Sequence, residues 1–323
     1  MFRFFALLVW LGAVPGLWAM QMVLEMSPSL TWKWEVLREI GSTQDQIDAL
    51  CDEIEAKYRR YGWARSICRE IPFTVFGWSE QNRPLLSYSL KNPVEGREEV
   101  AETLIHCAIH GDELAGVPMC FRMIEEIITK KQKLPQGMGI TVQPLLNPDG
   151  FLAKKPQRPN ARGVDLNRNF KTPEWAFEAH RFWVKRDRKD WRKFPGQHPA
   201  SESETQAMSS WIETHNPQKI ISIHTPLAFL ELDSMGDQDL TRRAKYLAIN
   251  MVKNAKNLNF KSYGVWPGSL GNYAGRLLRI PVYTMELPPG STRRNTNKNW
   301  DSYSFSLWRA VQFDLSTGTF QED

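Results

Sequence analysis

The chain has 323 residues, 42% hydrophobic and 24% charged, and its 13 Trp, 16 Phe and 8 Tyr are too much apolar bulk for a disordered protein. A net charge of +5, from 41 basic and 36 acidic residues, is too weak an excess for nucleic acid, which needs a concentrated basic face, but is compatible with an acidic small substrate or an anionic cell surface. Four Cys exclude a disulfide scaffold, and any metal or catalytic histidine must come from His106, His110, His180, His198, His215 and His224.

Residues 1–19 read MFRFFALLVWLGAVPGLWA. Arg3 gives a positive start, the apolar run at 4–14 is short for a bilayer span, and Pro15 and Gly16 break it. Ala19 suits the position before a cleavage point, although Leu17 is large where a small residue is preferred. The pattern is that of a secretory signal peptide, and no other stretch is long and apolar enough to span a membrane. The expected location is periplasmic or secreted, in a bacterium, with no stable membrane insertion once the leader is removed. Export permits disulfides, and Cys51 and Cys68 are a candidate pair. Cys107 in an apolar strand and Cys120 on an apolar helix face read as small core residues.

Residues 43–61 predict an amphipathic helix, with Ile47, Leu50, Cys51, Ile54, Tyr58 and Tyr61 on one face. Thr43 and Gln46 form a capping box, and Gly62 suits the stop. Strands at 73–78 and 85–90, around the turn Asn82-Arg83-Pro84, predict a hairpin. A buried strand at 103–109 leads through a loop to a helix ending near residue 129. Further strands are expected at 140–146, 219–224 and 280–287, and helices at 241–257 and 299–315. Strands separated by helices indicate a single layered α/β/α domain whose mixed, mostly parallel central sheet is flanked by helices. Residues 1–19, 20–70 and 71–323 are expected to be leader, N-terminal helical section and catalytic domain.

The sharpest chemical feature is His110-Gly111-Asp112-Glu113, between a strand and a helix. A histidine and a carboxylate three residues apart on a turn can converge on one cation, and catalytic zinc takes three such protein ligands. His224 ends the apolar run Ile220-Ile221-Ser222-Ile223 and, like His110, follows a strand, where open α/β sheets place ligands. His106 reads as a satisfied buried side chain, and His180, His198 and His215 as surface residues. Glu286 also ends a strand, among apolar residues that would raise its pKa toward that of a general base. Residues 160–170 form a polar run in which Asn167 and Arg168 can grip a carboxylate.

These pieces, in this order, resemble the zinc metallocarboxypeptidase family that contains carboxypeptidases A and B, over roughly residues 72–315. The run Gly163-Val164-Asp165-Leu166-Asn167-Arg168-Asn169-Phe170 nearly matches the family's most specific segment. The resemblance implies one Zn2+ per chain held by His110, Glu113 and His224, with Glu286 as general base. It implies that Arg158 stabilises the oxyanion, with Arg162 as the alternative. It further implies that Asn167 and Arg168 bind the substrate's terminal carboxylate and that Asp165 orients a zinc histidine. A tyrosine over the substrate would be Tyr263, or alternatively Tyr273.

Ser222–Ala228 and Pro267–Asn272 resemble the bacterial branch that removes meso-diaminopimelate from γ-D-glutamyl bonds of peptidoglycan peptides. The expected partner is a peptide or murein peptide with a free C-terminal carboxylate. That branch usually acts in the cytoplasm, whereas this chain reads as exported. A broader carboxypeptidase acting on L-peptides keeps the same site, and Leu270 would then favour apolar side chains. A deacylase and a non-catalytic wall-binding module are disfavoured by the complete motif set. The basic run at 184–193 is either a solvated helix face or a rim attracting anionic wall fragments.

Overall fold

The computed structural model describes residues 28–321 except 235, 263, 265 and 292–295, with side chains described from Thr43 onward. The expected leader, residues 1–19, lies outside the described residues. The chain divides into two compact units, Met1–Asp48 and Ala49–Asp323.

Helix α1 spans Pro28–Tyr61, longer than the segment its periodicity marks. Because it runs through Thr43, that residue does not cap a helix start. A local capping preference yields where the flanking backbone stays helical. Leu50, Cys51, Ile54 and Tyr58 form the buried face, as their spacing requires. Gly62, at φ +66°, ends the helix. Trp63 N–H donates to the Tyr58 carbonyl at 3.0 Å and Gly62 N–H to that of Arg59 at 3.2 Å, the paired bonds of a left-handed stop. Cys51 and Cys68 form a disulfide.

The sheet comprises β1 (Thr74–Trp78), β2 (Pro84–Asn92), β3 (Ala101–Cys107), β4 (Met138–Gln143), β5 (Lys219–His224), β6 (Phe229–Asp233), β7 (Asn259–Lys261) and β8 (Val282–Glu286), in the order β1-β2-β4-β3-β5-β8-β6-β7. β4, β3, β5 and β8 are the parallel centre. β1 pairs with β2, β2 with β4 and β6 with β8 in antiparallel fashion. The helices of the second unit are α2 (Gly116–Ile128), α3 (Pro148–Leu152), α4 (Trp175–Lys185), α5 (Ser203–His215), α6 (Gln238–Lys253) and α7 (Thr296–Gln312). β6, β7, α4 and α5 are not anticipated by the sequence reading. In β6, Phe229-Leu230-Glu231-Leu232-Asp233 alternates properly, but its two acids give it the composition of a loop.

Partnered residues in a sheet share a face, and alternate residues change face. Leu104, Ile220 and Val282 therefore lie on one face. They share a core there with Met208, Trp211 and Ile212 of α5 and with Leu270, Tyr273 and Ala274. The other face carries Cys107 and Ile223, which meet Gly116 at the start of α2. It also carries Tyr283, whose hydroxyl donates to the Ala244 carbonyl of α6 at 3.1 Å. Helices thus cover both faces of the mixed sheet.

Cys107 and Cys120 differ from expectation. Both are buried, but they form a second disulfide, joining β3 to α2, with Cα atoms 6.5 Å apart. A strand-to-helix crossover brings the two side chains together, a proximity that hydrophobic patterning does not reveal. Replacing Cys107 and Cys120 together by alanine should lower the unfolding free energy by about 2–4 kcal/mol in guanidinium titrations. Alkylation of the unreduced parent protein, followed by intact-mass measurement, should find no free thiol.

Candidate active site

The site lies where the parallel strands end. His224 and Glu286 are register partners at the ends of β5 and β8. β3 ends at Cys107 and passes directly into His110-Gly111-Asp112-Glu113. Gly111 is required in that loop: a Cβ there would lie 2.3 Å from the Gly150 carbonyl carbon. The backbone of α3 therefore presses directly on the turn that presents His110 and Glu113. Asn147, fully buried, secures this contact. Its side-chain oxygen accepts from Gly150 N–H at 2.8 Å, and its amide donates to the Arg158 carbonyl at 3.1 Å.

His110, Glu113 and His224 are buried and bring one ligand atom each to within 4.8 Å of one another. Nδ1 of His110 lies 2.8 Å from Glu113 Oε1, and Nδ1 of His224 lies 2.8 Å from Glu113 Oε2. Two acceptors at such distances repel unless a positive species, a proton or a cation, sits between them. The opposite nitrogens are already engaged. Nε2–H of His110 donates to Asp165 at 3.1 Å, and Nε2–H of His224 to Ser222 Oγ at 2.8 Å. Both rings thus present Nδ1 inward. Two imidazole nitrogens and a carboxylate, with their outer atoms anchored, are a donor set that fits zinc.

Asp165 is fully buried and heads the turn Leu166–Arg168. It accepts from His110 Nε2, from Arg158 Nε at 2.9 Å and from Asn167 N–H at 3.0 Å. Burial opposes its ionisation, but Arg158 and His110 prevail and hold its carboxyl well below the usual carboxylate range. Burial likewise opposes charge on Glu113, and the two imidazoles overcome it. For His110, burial and Arg158 disfavour the imidazolium, whereas Glu113 and Asp165 favour it and win. For Glu286 burial wins: helped by the neighbouring Glu113 charge, it outweighs His224, Leu227 N–H and Arg158 and pushes the carboxyl up to about 7.

A cavity of about 540 Å³ joins these groups to the others predicted from the sequence. Arg158, Asn167 and Arg168 line it, as do His110, His224 and Glu286. Arg158 NH1 also reaches Glu113 at 3.2 Å. Arg162 lies elsewhere, half exposed and beside Glu80 and Glu202 at 3.7 and 3.6 Å. Asn167 Oδ1 accepts from Leu270 N–H at 2.8 Å. Arg168 stacks on Trp266, its guanidinium carbon 4.7 Å from the ring centroid. Its Nε is buried without a hydrogen-bond partner among the described residues. Burial lowers the pKa of Arg168, as expected of a cation that has given up water without gaining a full set of acceptors.

Tyr263, the expected tyrosine over the substrate, lies outside the described residues. The other residues considered from the sequence are placed as follows. Tyr273 is a core residue, stacked on Phe170 and donating to Glu213 at 2.5 Å. Leu270 is buried in the core cluster and does not line the cavity. His106 is buried, but neither ring nitrogen has a partner among the described residues, and desolvation lowers its pKa to about 3. His180 is half-buried among Trp175, Trp183 and Phe194, whereas His198 and His215 are exposed. In the basic run, Lys185 and Arg188 are exposed, Arg186 stacks on Trp266 at 4.2 Å, and Arg192 and Lys193 line the cavity mouth. Sequence reasoning missed Trp266 and the acids Glu231 and Asp233, which also line the cavity. A tryptophan just before Pro267-Gly268-Ser269 was the available signal for the first.

The zinc carboxypeptidase family, peptidase M14, matches residues 64–291, and the chain belongs to it. It is a hydrolase of the carboxypeptidase and amidase type. Among curated relatives, murein peptide amidase A of Vibrio campbellii is 29% identical over 235 residues, covering 71% of this chain and 85% of that one. Murein peptide amidase A of Escherichia coli K12 is 28% identical over 226 residues, covering 69% and 84%. Among solved structures, the murein-tripeptide amidase of Escherichia coli O157 aligns with a TM-score of 0.53 at 24% identity, covering 76% of this chain and 94% of that one. Carboxypeptidase A of Helicoverpa armigera aligns at 0.60 and 15% identity, covering 84% and 78%. These last likenesses show the fold.

Asp165→Asn keeps the size of the side chain but removes its charge from His110 and Arg158. It should weaken zinc binding about 10- to 100-fold, read by competition against a chelator.

Proposed function

We propose that this protein is an exported zinc amidase that releases meso-diaminopimelate from the γ-D-glutamyl bond of peptidoglycan peptides. The observation that carries this reading is the extent of the murein peptide amidase match, which covers 85% of the Vibrio campbellii relative. The two disulfides, which leave no free cysteine, support an oxidising compartment and hence the expected leader at residues 1–19. The proposed catalytic domain is residues 71–323.

His110, Glu113 and His224 would hold one zinc ion. When bound, it supplies Lewis acidity toward water and a carbonyl oxygen, and its charge draws the titration of Glu286 downward. Asn167 and Arg168 bind the terminal carboxylate of the substrate. The buried, unpartnered Nε of Arg168 supports that role. Arg158, held by Asp165, stabilises the negative charge that develops on the scissile carbonyl oxygen. Glu286 takes the proton of the attacking water and returns it to the departing amine. Among the described residues its Oε2 accepts a long 3.4 Å bond from Leu227 N–H, which leaves the carboxylate basic. Tyr263 is the candidate to close over the bound peptide.

Release of L-amino acids from ordinary peptides is the second reading, favoured by the match to the zinc carboxypeptidase family. Incubation with L-Ala-γ-D-Glu-meso-diaminopimelate, followed by mass spectrometry, should show free diaminopimelate. Release of L-amino acids from α-linked peptides alone would refute the murein reading.

Glu286→Gln should retain zinc while hydrolysis falls about 100- to 10,000-fold. The base works only when deprotonated, so kcat/KM should decline as pH falls through its titration. Because Glu286 lies near 7 from burial and the cation draws it down, the acidic limb should lie below pH 7. Full activity in the variant would remove Glu286 from the mechanism.

A further inference from the structure

Among the described residues, the permanent cations that line the cavity are Arg158, Arg168, Arg192 and Lys193. Three of them meet a carboxylate directly: Arg158 meets Asp165 at 2.9 Å, Arg192 meets Asp112 at 2.5 Å and Lys193 meets Asp187 at 2.9 Å. Arg168 is held differently. Its NH1 donates to the Asn167 carbonyl at 2.7 Å, and its guanidinium carbon lies over the Trp266 ring. An aromatic face attracts a cation without using its N–H donors. A carboxylate neighbour would occupy those donors and compete with a carboxylate arriving from the cavity. Trp266 is a partner that leaves the edge of the guanidinium open.

Trp266 is itself fixed to the turn that carries Arg168. Its carbonyl accepts from Ser269 N–H at 3.0 Å and from the Asn272 side chain at 2.9 Å. Gly268, two residues on and at φ +73°, is pressed against that turn: a Cβ there would lie 2.1 Å from the Arg168 carbonyl oxygen. Phe170 N–H donates to the Gly268 carbonyl at 3.0 Å. Phe182 of α4 packs edge-on against the Trp266 ring, with centroids 5.1 Å apart and planes at 73°. Arg186, just past the end of α4, sets its guanidinium carbon over the rings of Trp266 and Phe182 at 4.2 and 4.9 Å. Two like charges over one indole repel, and behind burial Arg186 is among the groups that disfavour the charge on Arg168. An anion arriving at Arg168 relieves that repulsion.

We propose that Trp266 and Arg186 are positioning residues for the substrate's terminal carboxylate, acting through Arg168. Trp266 carries the face of the guanidinium and keeps its N–H edge available to the cavity, and Arg186 adds positive potential that favours an anion there. This role rests on the reading that Arg168 grips the terminal carboxylate. It divides the basic run at 184–193: Arg186 serves the carboxylate grip, whereas Arg192 and Lys193 are tied to Asp112 and Asp187.

The test measures kcat and KM on L-Ala-γ-D-Glu-meso-diaminopimelate, at low and high salt, for zinc-loaded wild type and five variants. These are Trp266→Phe, Trp266→Leu, Arg186→Gln, Arg168→Gln and the double variant Trp266→Leu with Arg168→Gln. Trp266→Leu should raise KM about 10-fold while kcat changes less than about threefold, and Trp266→Phe should recover most of the loss. Arg186→Gln should raise KM about threefold at low salt and less at high salt. Trp266→Leu should add little to Arg168→Gln, because both act on one contact. Zinc affinity, read by competition against a chelator, should match wild type and reports that each variant is folded. Losses that multiply in the double variant, or a Trp266→Phe as impaired as Trp266→Leu, would overturn the proposal. Arg186 is exposed, so Arg186→Gln decides the matter if Trp266→Leu fails to fold: a wild-type KM at low salt overturns the role. If Arg168→Gln raises KM and Trp266→Leu does not, the carboxylate grip stands and the positioning role fails. If Arg168→Gln leaves KM unchanged, the grip and the positioning role fall together. If the γ-D-glutamyl substrate is inert but the same pattern appears on α-linked hippuryl-L-phenylalanine, the positioning role stands and the murein reading fails.

Discussion

The buried carboxylate of Asp165 is the interaction on which the rest of the site depends. It touches His110, Arg158 and the backbone of Asn167 together. Two stretches distant in sequence are tied to one point: the loop after β3, and the run that follows α3 and carries Arg158 and the turn presenting Arg168. A lone carboxylate in that position would be strongly disfavoured by desolvation. Arg158 and His110 reverse the balance, so the charge and its partners are stable only as a unit. The same unit sets the ring orientation of His110 and leaves Nδ1 directed at Glu113.

The sheet supplies the second half of the site by register alone. Parallel pairing of β5 with β8 puts His224 beside Glu286, and antiparallel pairing of β6 with β8 puts Phe229 beside Glu286. Ligand, base and pocket wall are thus neighbours because β5 and β8 end where antiparallel β6 begins. The antiparallel β6 also turns Glu231 and Asp233 onto this face, beside Thr284 and Ser222. A one-residue slip in β6 would send both acids to the opposite face.

Electrostatics separates two buried carboxylates that might be expected to behave alike. Glu113 lies between two imidazoles and is held ionised well below its ordinary range. Glu286, a few ångströms from the same groups through register with His224, receives only a long backbone bond and is raised by burial. The first environment suits a fixed ligand, and the second suits a group that must take up and release a proton. The difference comes from the two imidazoles, which act on Glu113 through charge first and hydrogen bonds second, since both side chains are similarly buried.

By itself the sequence determined the fold class and singled out a set of polar residues that the structure gathers at or beside the cavity. His110, Glu113, Asp165, Asn167 and Arg168 stand in short runs with defined spacing, and His224 and Glu286 end apolar strands. Such local signals survive without coordinates. Tertiary structure decided what depends on segments meeting. It separated Arg158 from Arg162, since only one guanidinium reaches Asp165, and it moved Leu270 and Tyr273 into the core. It joined Cys107 to Cys120 through a crossover that patterning cannot reveal, and extended α1 through a residue that looked like a cap. Glu231 and Asp233 were invisible as site residues because their chemistry comes from the face on which β6 places them. Spacing along the chain specifies which side chains are available. Strand pairing and burial specify which of them share a cavity, and with what charge.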